Sequence, residues 1–524
     1  SRGLGDVYKR QVFVLLSLLG MVAALIADKM RPGMILFSVV VLFLCAGILT
    51  PKEMLEGFSN KGMITVALLF LVSEGIRQSG TLGQVIKKLL PQGKTTVFKA
   101  QLRILPSVAF ISAFLNNTPV VVIFAPIIKH WAKSVNLPAT KFLIPLSYVT
   151  ILGGICTLIG TSTNLVVHGM ILEAGFEGFS MFELGKVGIF IAIAGIIYIF
   201  LFSKRLLPDA RPDTAVPDEE VEEGEKLHRV EAVLGARFPG INKKLKDFNF
   251  QRHYGAEVKE IKTRNGQRFV SNLEEVVLHE GDTLVVMADD TFIPTWGESS
   301  VFVLLTNGNE PDTTGKKKKR WFALLLLVLM IVGATVGELP ITKEMFPDIK
   351  LDMFFFVSIT TIIMAWTNLF PARKYTKYIS WDILITIACA FAISKAMVNS
   401  GVADSVAKFI IGLSDDYGPH VLLAMVFIIT NLFTELITNN AAAALAFPLA
   451  LSISAQLGVS PTPFFVVICM AASASFSTPI GYQTNLIVQG IGNYKFTDFV
   501  RIGLPLNIIT FLISIILIPL IWNF

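Results

Sequence analysis

Two clusters of amide and hydroxyl side chains interrupt apolar sequence, Asn116-Asn117-Thr118 and Thr438-Asn439-Asn440. Each sits between runs too short to cross a bilayer alone, and Asn117 and Asn439 each precede a proline by nine residues, Pro126 and Pro448. Backbone that leaves a helix at membrane depth needs other partners for its N–H and C=O groups, so each cluster reads as the polar tip of a re-entrant hairpin. The chemistry on offer is that of an oxyanion with a cation. Side-chain oxygens of Asn117 and Asn439, with carbonyls freed at helix breaks near Gly160 and Gly481, are hard ligands suited to Na⁺ as a coupling ion. Helices that begin after the tips and breaks point free N–H groups at an anion. Asn116, Thr118, Thr161, Thr438, Asn440 and Thr478 can donate to its oxygens. No Arg or Lys lies at either tip, so bound cations and helix dipoles would balance the anion's charge. Glu435, one turn before Asn439, is open to two readings, a cation or proton role and a hydrogen-bonding one. Thr163, Asn164, Thr484 and Asn485 are further candidates. For an isolated membrane Thr or Asn, interhelical packing is the simpler role; duplication at a helix break shifts the balance toward function.

The elements that position these residues occur twice. Asn117 and Asn439 are 322 positions apart; Gly160-Thr-Ser-Thr-Asn-Leu165 matches Gly481-Tyr-Gln-Thr-Asn-Leu486 at 321, as Ser79-Gly80 matches Ser400-Gly401. Phe179-Ser-Met-Phe182 answers Phe496-Thr-Asp-Phe499 at 317. Ordered matches at near-constant spacing mark an internal duplication.

Composition sets the class. Over 524 residues, 53% are hydrophobic and 16% charged, with mean hydropathy +0.64, too few charges for a soluble surface of this size. The sequence predicts an all-α polytopic membrane protein. The net charge of +6 is no nucleic-acid signal, because its densest source, Lys316 to Arg320, directly precedes an apolar run as a topology anchor does. Cys45, Cys156, Cys389 and Cys469 lie in apolar segments without metal or disulfide spacing and read as small core residues.

Residues 1–11 read as a probable assembly scar outside the fold, with the native start missing. The first repeat, 12–205, has apolar spans near 12–27, 34–49 and 63–79, a hairpin near 103–131, a span near 142–170 broken at 160–164, and one near 186–203. The second, 316–524, repeats this near 321–338, 353–369, 382–398, 420–455, 463–490 and 502–522. Five spans plus a hairpin is odd, so the repeats are expected to be inverted, with the tips meeting near the midplane. Clustered Lys and Arg, such as Lys87, Lys88, Lys204 and Arg205, place one side in the cytoplasm of a cell inner (plasma) membrane. Between the repeats, an acidic linker (206–230) leads into a small α/β insert (231–315) on that side. Its strands are expected at 256–262, before an Asn265-Gly266 turn, and 282–288, after Glu280-Gly281.

The tips and the paired Thr-Asn-Leu breaks resemble the divalent anion/sodium symporters of the ion transporter superfamily, which include citrate and sulfate permeases. That resemblance covers both membrane repeats. It implies a secondary active symporter of a divalent oxyanion, sulfate or a di- or tricarboxylate, working as a homodimeric elevator in the bilayer. The tips depart from that family's repeated Ser-Asn-Thr, which favours a compact tetrahedral anion such as sulfate. The segment from about Glu231 to Trp296, with His279-Glu-Gly-Asp282, is similar to the C-terminal domain of potassium-transport regulators and implies a cytoplasmic small-molecule effector at 231–298. Two other classes stay open: a cation- or H⁺-coupled antiporter or channel gated by that domain, and a membrane enzyme or receptor. The first would show paired acids at the breaks or a filter stretch, the second a polar cluster such as His-Glu-x-x-His; the sequence has neither.

Overall fold

The computed structural model describes residues 2–27, 29–209, 227–235, 237–264, 267–289, 292–296, 301–306, 317–413 and 418–524. The acidic run Asp218 to Glu223, the Asn265-Gly266 turn and Lys316 lie outside the described residues. Among the described residues, eight helices are long and apolar enough to cross a membrane. The chain is a multi-pass membrane protein with a small sheet insert.

The first half runs α1 (Arg2–Ala27), α2 (Pro32–Cys45), α3 (Pro51–Glu56), α4 (Lys61–Gln78), α5 (Thr81–Leu89), α6 (Val97–Ser112), α7 (Asn117–Ser134), α8 (Leu143–Gly154), α9 (Ser162–Glu173) and α10 (Gly185–Leu206). The insert holds β1 (His228–Leu234), α11 (Phe250–Tyr254), β2 (Glu257–Lys262), β3 (Arg268–Phe269), β4 (Thr283–Ala288), α12 (Phe292–Trp296) and β5 (Phe302–Thr306). The second half is α13 (Lys317–Gly337), α14 (Pro340–Met345), α15 (Met353–Trp366), α16 (Trp381–Asn399), α17 (Val402–Leu413), α18 (Gly418–Leu436), α19 (Asn439–Leu457), α20 (Thr462–Ser473), α21 (Gln483–Gly492) and α22 (Phe496–Ile521).

The duplicated Ser-Gly pairs stop helices. Gly80 and Gly401 adopt φ of +71° and +73° directly after α4 and α16, a backbone that lets the chain turn into α5 and α17. Packing repeats in the same way: α6 lies on α8 as α18 lies on α20, and α7 meets α21 as α19 meets α9. The centre is α8, all twelve residues of which are buried, together with α19 and α20. Apolar side chains such as Leu16, Leu325 and Ile516 stay exposed on α1, α13 and α22, faces suited to lipid. The insert is an antiparallel sheet of order β3-β2-β4-β1-β5, with Phe238, Phe248, Phe250, Tyr254 and Phe302 packed together in its core. Its β2 and β4 fall where the alternation and the Glu280-Gly281 turn place them, and Gly281 takes φ +85°.

Helix α1 takes in residues 2–11, and the Gln11 amide donates to Gly401 O at 3.4 Å. Three expectations need correction. The runs on either side of the second tip are not too short to cross a bilayer, because α18 and α19 have 19 residues each and are apolar enough to span one. The breaks fall earlier than Gly160–Asn164 implies: α8 ends at Gly154 and α20 at Ser473, so Asn164 and Asn485 sit in the first turns of α9 and α21. Just before the first break the packing is tight, and a Cβ on Gly153 would lie 2.0 Å from Ala109 O. Cys45 is exposed at the end of α2 and is no core residue; Cys389 and Cys469 are buried.

Candidate functional site

The hairpin tips and the helix breaks pack together, and the same bonds build both copies. Ser112 Oγ donates to Asn117 Oδ1 at 2.7 Å, and Thr434 Oγ1, 322 positions on, lies 3.1 Å from Asn439 Oδ1 while donating to Ala472 O at 2.6 Å. The Thr157 hydroxyl donates to Ala113 O; the Thr478 hydroxyl donates to Glu435 O at 3.0 Å. Asn164 Nδ2 donates to Thr157 O and Gly154 O at 2.9 and 3.4 Å, and Asn485 Nδ2 to Ser475 O and Thr478 O at 2.9 and 3.2 Å. Each break therefore has its loose carbonyls gathered by one asparagine, as backbone within a membrane requires.

Across the halves, tip meets break. Asn440 Oδ1 accepts from Ser162 Oγ at 3.3 Å and Thr163 Oγ1 at 3.4 Å, and Thr118 Oγ1 lies 3.5 Å from Gln483 Oε1. Between them, the Tyr482 hydroxyl accepts from Asn117 Nδ2 at 2.7 Å and lies 2.9 Å from Thr161 Oγ1. Glycine is obligatory at both breaks: a Cβ would lie 2.4 Å from Gly154 O at Gly160, and 2.0 Å from Ser475 Oγ and 2.4 Å from Thr434 O at Gly481.

Not every expected residue faces this centre with a free group. Thr478 spends its proton on Glu435 O, whereas Thr438 caps α19 by accepting from Ala441 N and keeps its own proton to donate. Thr484 accepts from Ser147 Oγ at 2.8 Å. Asn116 faces α4 and α13, beside Ser162 and a cavity of about 10 Å³, no more than one water. The Glu435 carboxylate accepts from Ser477 N and Thr478 N, both at 2.9 Å, and Asn507 Nδ2 at 2.7 Å, so it ties the second break to α18 and α22.

The oxygens present suit a hard monovalent cation. Asn117 Oδ1 and Gly160 O converge on Gly154, where a Cβ would lie 2.7 and 3.1 Å from them. Asn164 is fully buried, and with Nδ2 held by carbonyls its Oδ1 has no hydrogen-bond partner. A buried orphan acceptor beside neutral oxygens is what an ion of one positive charge would satisfy.

Sequence reasoning passed over Ser112, Thr434 and Tyr482. The hydroxyl pair at offset 322 was a readable signal for the first two; Tyr482 stands at 321 from Thr161, inside the matched motif, hidden by the change of residue type.

The insert touches helices of both halves of the chain. Glu231 of β1 pairs with Lys129 of α7 at 3.0 Å and Lys262 of β2 at 3.2 Å. Burial acts to raise the Glu231 carboxyl, but the two lysines outweigh it and hold it at about 2. Gln489 of α21 donates to Arg264 O. On the other side Arg237 donates to Ile379 O at 3.2 Å, ahead of α16, and Asn242 to Lys29 O at 2.9 Å, between α1 and α2.

Apolar spans around paired hairpin tips and broken helices define a membrane transporter. The citrate transporter family model matches residues 22–452 and 349–523, and the chain belongs to that family. An uncharacterized transporter of Synechocystis sp. is 30% identical across 93% of each chain. A Chlamydomonas reinhardtii protein named probable sodium/sulfate cotransporter 3 is 22% identical over 92% of this chain and 85% of its own. Among solved structures, the YdaH transporter of Alcanivorax borkumensis shares the fold, at TM-score 0.52 and 12% identity over 98% of both chains.

Proposed function

We propose that this protein is a Na⁺-coupled symporter of a divalent oxyanion, with sulfate favoured over di- and tricarboxylates. The observation that carries the reading is the pair of tip-and-break sites, built from neutral oxygens, amides and helix N-termini without a basic side chain. The sodium/sulfate cotransporter named among the relatives supports the same choice. In this reading Asn117, Gly160, Asn439 and Gly481 supply cation oxygens, and Thr118, Thr161 and Asn440 face the anion, while Thr438 and Thr478 act through the helix ends they hold and Asn116 lies against α4 and α13. The hairpins and broken helices move as one unit against a scaffold of α1, α2, α4, α13, α15 and α16, in a homodimer of the cell inner membrane. The insert, cytoplasmic and similar to a potassium-regulator C-terminal domain, biases that motion when an effector binds. Its bonds to α7 and α21 on one side and to the segments before α2 and α16 on the other support that role.

The test is uptake of labelled sulfate and succinate into proteoliposomes with and without a Na⁺ gradient. Sulfate uptake that rises with the gradient is expected. Succinate uptake with sulfate ignored removes the substrate choice, and uptake indifferent to Na⁺ removes the coupling.

A further inference from the structure

Where the insert meets α21 there is a cleft of about 110 Å³, with β2 and β3 on one side and the end of α21 and the start of α22 on the other. At roughly 10 to 15 Å³ for one water, it has room for several waters or one small polyatomic ion. Lys262, Arg268 and Lys495 line it, and among the described lining residues none is an acid. The acids behind the lining do not cancel these charges. Glu231 is shared by Lys129, Lys262 and Arg229, and Glu260 by Arg268 and Arg229, so two carboxylates serve four bases. Asp498, which accepts from Lys495 N, offsets Lys495, as Asp282, which accepts from Arg264 N, offsets Arg264. Two positive charges remain, the complement of a dianion.

Gln489 adds a second requirement. It is 2% exposed and lines the same cleft, and its Nε2 donates to Arg264 O, which fixes the amide because a carbonyl only accepts. Its Oε1 is then an acceptor, and that atom has no hydrogen-bond partner. A fitting ligand must bring negative charge and a proton donor together. Sulfate carries no proton, and a phosphate monoester has lost most of its last one at neutral pH. Inorganic phosphate keeps at least one P–OH.

We propose that this cleft binds hydrogen phosphate, with its oxyanions on Lys262, Arg268 and Lys495 and its P–OH on Gln489 Oε1. The proposal rests on the reading of the insert as a regulatory domain and gives that domain a ligand. Lys262 and Arg268 belong to the insert, Gln489 and Lys495 to the membrane part, so the anion fastens one to the other. The insert is also bonded to the segments before α2 and α16. Bound phosphate thus ties the moving helices to the scaffold and slows transport.

The test follows hydrogen exchange of the full-length protein with sodium phosphate, sodium sulfate or AMP, at matched ionic strength and fixed Na⁺. Phosphate should protect β2, β3 and residues 489–495, and sulfate and AMP should do so far less. Lys495→Gln, at an exposed position, should raise the half-protecting phosphate concentration about tenfold, the scale of one charged hydrogen bond, and leave uptake without phosphate unchanged. Gln489→Met keeps the length of the side chain, removes the acceptor, and should bring phosphate down to the level of sulfate; if it does not fold, Lys495→Gln decides. Phosphate should also slow anion uptake by the wild type more than by Lys495→Gln, which separates this cleft from competition at the transport site. Absence of local protection by phosphate, or equal protection by sulfate, overturns the proposal. Stronger protection by AMP overturns the choice of inorganic phosphate in favour of an ester. Local protection by phosphate beside unchanged uptake overturns the regulatory reading and leaves the binding site standing.

Discussion

Replacing Glu231 by Gln should loosen the insert from the membrane helices. In the native protein its carboxylate is buried between Lys129 of α7 and Lys262 of β2 and titrates at about 2, against an ordinary value of 4.5. That difference corresponds to roughly 3 kcal/mol at neutral pH, divided between the fold of the insert and its attachment to α7. Because the folded value lies below the unfolded one, the contribution is complete above about pH 4.5 and is lost as pH falls toward 2. A glutamine cannot return that charge interaction with Lys129 and with Lys262, which is only 4% exposed. Hydrogen exchange followed by mass spectrometry should then show faster exchange in β1, β2 and the end of α7, with α8 and α20 unchanged. The wild-type protein should reproduce the pattern when the pH is lowered below about 4.5. Equal exchange in variant and wild type at neutral pH would refute the inference that this charge cluster holds the insert in place.

Asn485→Ala strips two break carbonyls of their donor and should cost about 2 to 6 kcal/mol, read as a fall in Tm in detergent. Asn164→Ala should cost less, since its Oδ1 bonds nothing in the protein, and should erase more of the Na⁺-dependent gain in Tm than Asn485→Ala does. Gly481→Ala places a methyl group against Ser475 Oγ and Thr434 O and should lower transport together with Tm by an amount equivalent to about 1 to 3 kcal/mol. Asn440→Thr should raise the succinate-to-sulfate uptake ratio, because a second hydroxyl suits a separated carboxylate. Deleting residues 216–312 should leave basal uptake intact and remove any effector response, measured in the same vesicles.

The turns were legible as polar residues between apolar runs, and the structure turns at 113–116 and 437–438; the length of the second pair of arms was not, since α18 and α19 are each long and apolar enough to cross a membrane. The position of the breaks was less legible. Gly160 and Gly481 are the conspicuous residues, but the chain leaves its helix after Gly154 and Ser473, where α8 packs on α6 and α20 on α18, contacts between segments far apart in sequence. Glu435 could not be assigned from sequence since its partners, Ser477 and Asn507, are 42 and 72 residues away. The contacts of the insert were equally hidden: Lys129 looked like one of many basic residues near a membrane surface, and its pairing with Glu231 spans 102 positions.

The bonds that cross between the halves also set a schedule for synthesis. Asn117 waits 365 residues for Tyr482, Ser147 waits 338 for Asn485, and Tyr148 waits 328 for Phe476 O. At ordinary translation rates that is roughly 20 to 70 s during which the first half sits in the bilayer with its central amide and hydroxyls unmatched. A ribosome that stalls in the insert thus leaves a fragment whose most buried helix, α8, carries polar groups facing lipid or other proteins. The partners of those groups, Tyr482, Asn485 and Phe476 O, all lie in the second half, so the first half cannot complete its centre until that half is made.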